Sequence, residues 1–292
     1  MTTNVAASFQ YHAPSSVEEA CRLLAKYKGG AKLLAGGHSL LPLVKLRLAT
    51  PEALIDLSRI KGLSYVKAGR KGLAIGAMTT YYDIESSDVV KKAAPVLADA
   101  AAQVADTQVR NAGTLGGSLA HSDPAGDLPA VVLALGAELE VHTARGSRTI
   151  SVDNFFRDLL TTALRPNEVL TEIRIPPLPA RTGTAYVKLA NKASHYAVVG
   201  VAAVVTLDKA GVCAAARVAV TGAGPHAVRA KRTERILIGK KLSALVIRRA
   251  AERAGAEIGD GFNSDIHASA EYRAAMTIVF AERTLTEAVG RV

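Results

Sequence analysis

The sequence predicts an α+β fold whose pattern of strands and helices changes near residue 178. Three observations favour this class. Residues 8–34 have the pattern of a strand, an amphipathic helix and a second strand. Residues 63–76 alternate between apolar and polar side chains as a β-hairpin does. After a proline-rich segment at 176–179, three strands are followed by three helices. We therefore expect two domains, residues 1–177 (with lobes of about 1–60 and 61–177) and residues 178–292.

The first lobe begins with a short strand and a helix over residues 17–28, for which Ser16 is the predicted N-cap. Gly29 and Gly30 end this helix, since glycine readily adopts the left-handed conformation found there. Residues 31–35 then form a buried strand that leads directly into a pair of glycines. A further strand is predicted at 53–57.

The second lobe and the second domain follow from the same patterns of alternation and apolar runs. In the second lobe we expect a hairpin over 63–76 with its turn at 69–72, helices at about 80–86 and 95–105, an apolar run at 129–135, a strand at 138–143, a turn at 145–146 and a strand from 173. In the second domain we expect strands at 185–189, 197–207 and 214–220, then helices at 227–238, 243–254 and 272–289.

Composition bounds the class of protein. The chain has 292 residues, of which 49% are apolar and 21% charged, as in ordinary globular proteins. Its longest apolar run, 197–207, is too short to span a bilayer. Residues 1–10 are polar and lack the basic start and apolar stretch of a secretory signal. We therefore expect a cytoplasmic protein without a transmembrane segment.

The cysteines and the net charge exclude further classes of function. Cys21 and Cys213 are the two cysteines of the chain, and they are far apart, so we predict no iron–sulfur cluster, metal site or disulfide framework. The net charge of +10 suits an anionic partner, and nucleic acid is the first hypothesis. However, aromatic residues make up 4%, tryptophan is absent, and no nucleic-acid motif accompanies the basic groups. Nucleic-acid binding is therefore not favoured.

Two pairs of glycines carry the strongest chemical signal. Residues 35–39 follow an apolar strand, and residues 114–118 follow the polar stretch 106–111. Paired glycines let backbone N–H groups approach an anion, and the flanking hydroxyls add donors, so two such loops converging would suit a pyrophosphate. Two tight turns that need positive φ would give the same pattern, and both interpretations stay open at this stage.

Other nucleotide signatures are absent or incomplete. The sequence contains no phosphate-binding loop of the G-x-x-x-x-G-K-[ST] type. Residues 222–227 superficially match a dinucleotide fingerprint, but Pro225 interrupts it and no strand ending in an acid follows. We interpret that segment as a turn into a helix.

Long motifs resemble one family. Three parts of the sequence carry these motifs: residues 35–49 followed by 54–57, residues 114–129, and residues 186–189 followed by 194–197. They are similar to the FAD-binding medium subunit of molybdenum hydroxylases, which include the carbon monoxide dehydrogenase and xanthine dehydrogenase families. The resemblance covers essentially the whole chain. It implies a two-lobed FAD-binding domain of the vanillyl-alcohol-oxidase-like (PCMH) type, followed by a C-terminal α+β domain with a small antiparallel sheet and helices.

The resemblance also implies which residues hold FAD. Those that would clasp its pyrophosphate are Ala35, Gly36, Gly37, His38, Ser39, Leu40, Thr114, Leu115, Gly116, Gly117 and Ser118. Asp127 matches an aspartate directed towards the nucleotide end of FAD, although a helix cap before Leu128 is the alternative. His38 could bind FAD or be satisfied by the backbone of its own loop. We interpret Asp123 as a turn or cap residue.

Three further positions match residues near the flavin ring. The backbone of Leu170 would lie beside it, Lys188 would approach it and favour its anionic reduced form, and Tyr196 would stack over or shield it. A plain core or surface role is the alternative for each. Leu115 replaces the commoner isoleucine, and His195 stands where this branch often has aspartate, which leaves the charge near the flavin open.

The family implies partners that carry the remaining chemistry. These are a large subunit with the molybdenum cofactor and a small subunit with two [2Fe–2S] clusters, assembled as a dimer of heterotrimers that is compatible with peripheral membrane association. FAD would take electrons from the nearer cluster and pass them to a quinone, NAD or oxygen, so no catalytic acid, base or nucleophile is assigned to this chain. The alternative is a stand-alone FAD-dependent oxidase or reductase of the same fold, which would need its own acid–base constellation, and none is recognised here.

Overall fold

The computed structural model describes residues 6–292, so Met1 to Val5 of the polar start lie outside the described residues. The first lobe contains, in chain order, β1 (Gln10–His12), α1 (Val17–Tyr27), β2 (Ala31–Leu34), α2 (Leu40–Lys45) and β3 (Ala53–Asp56). Its strands form a parallel sheet in the order β1-β3-β2. The expected N-cap is confirmed, because the Ser16 hydroxyl accepts a hydrogen bond of 3.2 Å from the Glu19 N–H. The α1 helix then packs Ala20, Cys21 and Leu24 against the sheet.

The second lobe combines an antiparallel sheet with a group of short helices. Its elements are β4 (Val66–Gly69), β5 (Gly72–Gly76), α3 (Tyr81–Ser86), α4 (Asp88–Ala93), α5 (Pro95–Ala102), α6 (Thr107–Ala112), α7 (Leu115–His121), α8 (Asp127–Leu135), β6 (Glu138–Thr143), β7 (Gly146–Ser151), a single 3-10 turn (Val152–Asn154), β8 (Phe156–Asp158), β9 (Thr161–Thr162) and β10 (Val169–Ile175). The five long strands pair in the order β4-β5-β10-β6-β7, and β8 pairs with β9 alone.

The remaining residues form a second α+β unit. Its elements are β11 (Thr182–Ala190), β12 (Ala197–Leu207), β13 (Cys213–Thr221), β14 (Val228–Arg229), α9 (Lys231–Leu237), α10 (Ala244–Ala251) and α11 (Ala270–Gly290). The four strands pair antiparallel in the order β11-β12-β13-β14. Ala202 and Val204 on one face of β12 join the core of the second lobe, whereas Val201 and Val205 on the other face pack with α10 and α11. Both faces of β12 are thus covered by other parts of the protein. This explains why the strand is apolar along its length and appears in the sequence as a continuous apolar run.

The α8 helix connects the two units. Every residue of α8 is buried, and the helix lies against β12 and β13. At its C-terminal end the Arg217 guanidinium donates to the carbonyls of Leu133 (2.8 Å) and Ala134 (3.1 Å), which belong to the last turn of the helix. Arg217 also pairs with Asp153 of the 3-10 turn. The C-terminal end of α8 is thereby tied to β13 in the sheet of the second α+β unit.

The predicted α+β class is confirmed, and most elements lie where the sequence predicts them. The exceptions are short. The helices α2, α4, α6 and α7 and the strands β7, β8 and β9 were not predicted; α6 is a six-residue helix whose N-cap is Asp106, inside the stretch expected to be only polar. The helix expected at 227–238 begins at Lys231, because Val228 pairs with Val220 and extends the sheet first. Residues 222–225 therefore lead into a strand and not directly into a helix.

Among residues 6–292, no helix is both long and apolar enough to cross a membrane.

Candidate functional site

A cleft of about 370 Å³ lies where the two lobes and the second domain meet. This size is within the usual range for a small-molecule or cofactor site. Its walls come from the loop before α2, the α3 and α6–α8 helices with their connections, and the loop between β11 and β12. The residues that line it are His38, Ser39, Tyr81, Val104, Ala105, Asp106, Val109, Gly113, Ser118, His121, Asp123, Gly126, Asp127, Leu128, Ala193, Ser194, His195 and Tyr196.

The first glycine segment, residues 35–40, leaves its backbone donors free. No acceptor among the described residues bonds the consecutive N–H groups of residues 36–40. Gly37 has φ +75°, a conformation that favours glycine, and a side chain on Gly36 would collide with the Ala112 carbonyl. A run of unpaired N–H groups at the entrance to a helix is suited to binding an anion.

His38 in this segment is held by its own loop. Its Nδ1 lies 3.0 Å from the Gly36 carbonyl oxygen. A carbonyl only accepts, so Nδ1 carries the proton and donates this bond. The backbone interaction considered from the sequence is therefore present, and Nε2 is left for the cleft that His38 lines.

The second glycine segment, residues 114–118, is the first turn of α7 rather than a loop. Thr114 is the N-cap, and its hydroxyl accepts from the Gly117 N–H at 3.2 Å. The Leu115 N–H donates to the Thr79 carbonyl (3.0 Å) and the Gly116 N–H to the Ala77 carbonyl (2.8 Å). These backbone donors are consequently used within the protein, and Ser118 is the residue of this segment that lines the cleft.

The structure brings the two glycine segments together. A side-chain carbon at Gly117 would lie 3.5 Å from Cβ of Ala35, and one at Gly36 would contact Gly113, which immediately precedes the second segment. The convergence expected from the sequence is thus present, although the two segments contribute different groups to it.

Asp127 lies at the first position of α8, where it is 5% exposed and lines the cleft. Its carboxylate accepts hydrogen bonds from the Tyr186 hydroxyl and from Nζ of Lys188, the latter at 2.9 Å. Burial raises the pKa of Asp127, while the Lys188 ammonium acts in the opposite direction. The negative charge at this wall is therefore compensated by the second domain.

The three positions expected near the flavin ring lie in different surroundings. Tyr196 lines the cleft with 48% of its surface exposed, and partial burial raises the pKa of its phenol. Lys188 does not line the cleft, since its ammonium is enclosed by protein acceptors. Leu170 lies in β10, buried in the core of the second lobe, and does not line the cleft either.

Several lining residues were not singled out from the sequence. Tyr81 lies partly buried beside Gly113, and desolvation raises the pKa of its phenol to about 12, so it stays neutral. Asp123 forms the expected turn, accepting from the Ala125 N–H at 2.8 Å, and also lines the cleft. Asp106 and His121 are brought in by α6 and α7. In the sequence, His121 lies within the motif 114–129, and Asp106 begins the polar stretch before it.

The charge of the cleft differs from that of the whole chain. Its lining includes aspartates and histidines but no lysine or arginine from the described residues. The excess of basic residues therefore lies on other surfaces, and an anion in the cleft would be met by backbone donors.

Comparisons with known proteins agree with this geometry. Residues 7–178 match the family model of the FAD binding domain in molybdopterin dehydrogenase, and residues 184–288 match that of the CO dehydrogenase flavoprotein C-terminal domain. The carbon monoxide dehydrogenase medium chain of Hydrogenophaga pseudoflava is 41% identical over 97% of this chain and 98% of its own length. Subunit alpha of the 6-hydroxypseudooxynicotine dehydrogenase complex of Paenarthrobacter nicotinovorans is 38% identical over 97% and 95%.

Solved structures show the same fold. The carbon monoxide dehydrogenase of Hydrogenophaga pseudoflava contains a chain that superposes with a TM-score of 0.94 at 42% identity, covering 98% of this chain and 99% of that one. The reconstituted CO dehydrogenase of Oligotropha carboxidovorans also gives a TM-score of 0.94, at 36% identity, covering 99% of this chain and all of its own.

Proposed function

Because the chain belongs to the family of FAD-binding medium subunits of molybdenum hydroxylases, we propose that it binds FAD in the cleft and transfers electrons from an iron–sulfur subunit to an external acceptor. The observation that carries this proposal is the run of N–H groups at residues 36–40, which have no acceptor among the described residues and lie at the edge of a cleft of cofactor size. A pyrophosphate needs such donors where, as in residues 6–292, no lysine or arginine lines the cleft.

The residues present fit FAD. In the first segment, residues 35–40 would hold the pyrophosphate through their N–H groups, and glycine at Gly36 and Gly37 lets the backbone come close. The Ser118 hydroxyl would add a donor from the second segment, whose remaining residues would build the wall behind it. Asp127 would face the nucleotide end, and Tyr196 would lie against the ring.

Bound FAD supplies the redox chemistry, since it can exchange electrons singly or in pairs. The residues of this chain bind and orient it and set the polarity around it. Tyr81 and Tyr196 keep their phenols protonated in this environment, because burial raises the pKa of both. Leu170 has no direct contact with the cleft in this arrangement, so we assign it a role in the core that supports the site.

The relatives are medium subunits of complexes with several subunits, which supports a large and a small subunit as partners. We propose a molybdenum-containing large subunit, a small subunit with [2Fe–2S] clusters, and a dimer of heterotrimers. Both cysteines of the chain are buried and far apart, so the clusters would come from the partner. A cytoplasmic location for this complex remains part of the proposal.

The comparisons do not favour a stand-alone oxidase. Relatives named for carbon monoxide and for 6-hydroxypseudooxynicotine match this chain at 41% and 38% identity, which indicates one electron-transfer scaffold serving different substrates. The large subunit would therefore determine the substrate, and a carbon monoxide dehydrogenase is the assembly we favour.

The test is FAD retention by the purified chain, read from its flavin absorbance. We expect a stoichiometric flavin in the wild type and in Gly69→Ala, because a side chain at Gly69 meets open space. We expect a strong loss in Gly37→Ala, where the φ of +75° no longer suits the residue. A wild type without flavin, or full retention in Gly37→Ala, would overturn the assignment. Flavin reduction by a substrate added to the isolated chain would support the stand-alone alternative instead.

A further inference from the structure

The ammonium group of Lys188 joins three segments that are far apart in the sequence. Its Nζ donates to the carbonyl of Gln103 after α5 (2.8 Å), to Oδ2 of Asp127 at the start of α8 (2.9 Å), and to the carbonyl of His195 in the loop between β11 and β12 (2.7 Å). The side chains of Lys188 and Asp127 are each 5% exposed. Two of these segments build walls of the cleft, on opposite sides of the domain boundary.

The hydrogen-bonding capacity of Lys188 is used completely. A protonated lysine has three donors and no acceptor. The three protein acceptors account for all of them, so none is left for a molecule in the cleft, which Lys188 does not line. Its influence on a bound flavin must therefore pass through the groups that it holds.

The loop that receives one of these bonds needs such support. His195 has φ +61°, a strained conformation for a residue other than glycine. Tyr196 follows immediately, and its place over the cleft depends on the orientation of the His195 peptide. The Asn191 N–H donates to the Tyr196 carbonyl at 2.8 Å within the loop, and the Ala197 N–H after it donates to the Ala125 carbonyl of the first domain at 3.3 Å. Lys188 adds a tie to the first domain at His195 itself.

We propose that Lys188 is a positioning residue that fixes Tyr196 and Asp127 relative to each other and thereby sets both the retention of FAD and the contact of Tyr196 with the flavin ring. This inference rests on FAD binding in the cleft. It differs from the role implied by family resemblance, in which the lysine itself approaches the flavin.

The first experiment compares two lysines of the same region in the assembled protein. Lys188→Met removes the ammonium from its three acceptors, whereas Lys192→Met removes an exposed ammonium from the adjoining loop and serves as the control. We expect FAD to dissociate about ten- to a hundredfold faster from Lys188→Met, as for the loss of hydrogen bonds to a charged group. Lys192→Met should match the wild type. Equal dissociation rates in both variants would overturn the proposal.

A double-mutant cycle separates positioning from direct contact. The readout is the fluorescence yield and visible circular dichroism of bound FAD, which report on an aromatic ring against the flavin. We expect Lys188→Met to change both signals in the wild-type background and to have little further effect on them in Tyr196→Ala, because contacting groups that act together are not additive. Fully additive changes would indicate that Lys188 acts on the flavin itself, and would overturn the proposal.

A further variant, Lys188→Arg, separates the effect of the charge from that of the three hydrogen bonds. Lys188→Arg keeps the charge opposite Asp127 but cannot place one nitrogen against three acceptors, so it should restore FAD retention in part and leave the spectral change. If Lys188→Met does not fold, Lys188→Arg replaces it in the double-mutant cycle with Tyr196→Ala. Full restoration of retention and spectra by arginine would show that charge alone matters, against the proposal. A wild-type protein that binds no FAD would instead refute the proposed function.

Discussion

The two glycine segments have nearly the same composition, yet the structure uses them differently. Residues 36–40 keep their N–H groups at the edge of the cleft without an acceptor from residues 6–292. In the segment at 114–118, the N–H groups of Leu115, Gly116 and Gly117 are all bonded within the protein. The first pair of glycines leaves donors free for a ligand, whereas the second allows α7 to approach the chain at Ala77. A Gly-Gly pair with flanking hydroxyls therefore indicates that the backbone approaches another group closely. The structure shows whether that group is a ligand or another part of the protein.

The largest effect is expected from Gly116→Ala. A Cβ at this position would lie 2.5 Å from Cβ of Ala77 and 2.7 Å from its carbonyl oxygen. Overpacking should lower the free energy of unfolding of the FAD-free chain by about 1–3 kcal/mol, although alanine normally stabilises a helix relative to glycine by roughly 0.5–1 kcal/mol. Urea denaturation measures the change, with Gly69→Ala as the control. An unfolding free energy equal to that of the control would remove the distinction between the segments.

Gly37→Ala, in contrast, should reduce the affinity for FAD as well as the stability of the chain. The substitution strains a φ of +75° and should cost about 1–2 kcal/mol of stability in the FAD-free chain. Because it also turns the donors of residues 36–40 away from the anion, FAD affinity should fall about ten- to a hundredfold. Titration of the FAD-free protein with FAD, followed by flavin fluorescence, measures the affinity. If stability fell and affinity did not, this segment too would serve packing alone.

The hydroxyls of the two segments provide a matched pair. The Thr114 hydroxyl caps α7 by accepting a hydrogen bond from the Gly117 N–H. Thr114→Val removes this cap and should lower the stability of the FAD-free chain by about 1 kcal/mol. Ser39 precedes α2 but makes no side-chain cap bond, so Ser39→Ala should change stability by less than about 0.5 kcal/mol. Thermal unfolding of both variants makes the comparison, which equal losses would contradict.

The smallest effect is expected from salt. Since no lysine or arginine of the part of the chain that the structure describes lines the cleft, backbone dipoles rather than mobile cations would hold the pyrophosphate. FAD affinity should then weaken less than about threefold between roughly 0.05 and 0.5 M salt, whereas exposed ion pairs would be screened strongly. FAD titrations at several salt concentrations give this slope. A loss of tenfold or more would point to a cation that approaches the flavin in the complex.

Local signals explain what the sequence could predict. The Ser16 cap, the turn at 69–72 and the alternation of residues 63–76 depend on neighbouring residues, and the structure contains each of them. The fold class followed from such elements together with the long motifs. The α6 helix was missed because its residues were interpreted only as a polar stretch, although Asp106 was an available cap signal.

The structure supplies what depends on distant residues. The close approach of Gly116 to Ala77 decides that the second segment packs, and nothing near residue 116 in the sequence indicates it. Likewise, Lys188 meets Gln103 and Asp127 only after the two domains have docked. The convergence of the glycine segments was predicted from chemistry, whereas the free and the bonded N–H groups could be distinguished only from tertiary contacts.

The connection between α7 and α8 is fixed by the second domain. The Thr221 hydroxyl shares its proton between the carbonyls of Gly126 (2.8 Å) and Pro124 (3.0 Å), and the Gly222 N–H donates to Pro124 at 2.7 Å. During synthesis on the ribosome, residues 123–127 emerge about a hundred residues before these donors do. A nascent chain therefore lacks the wall that Asp127 provides until β13 has paired. We expect flavin loading to be a late, post-translational event that follows docking of the second domain.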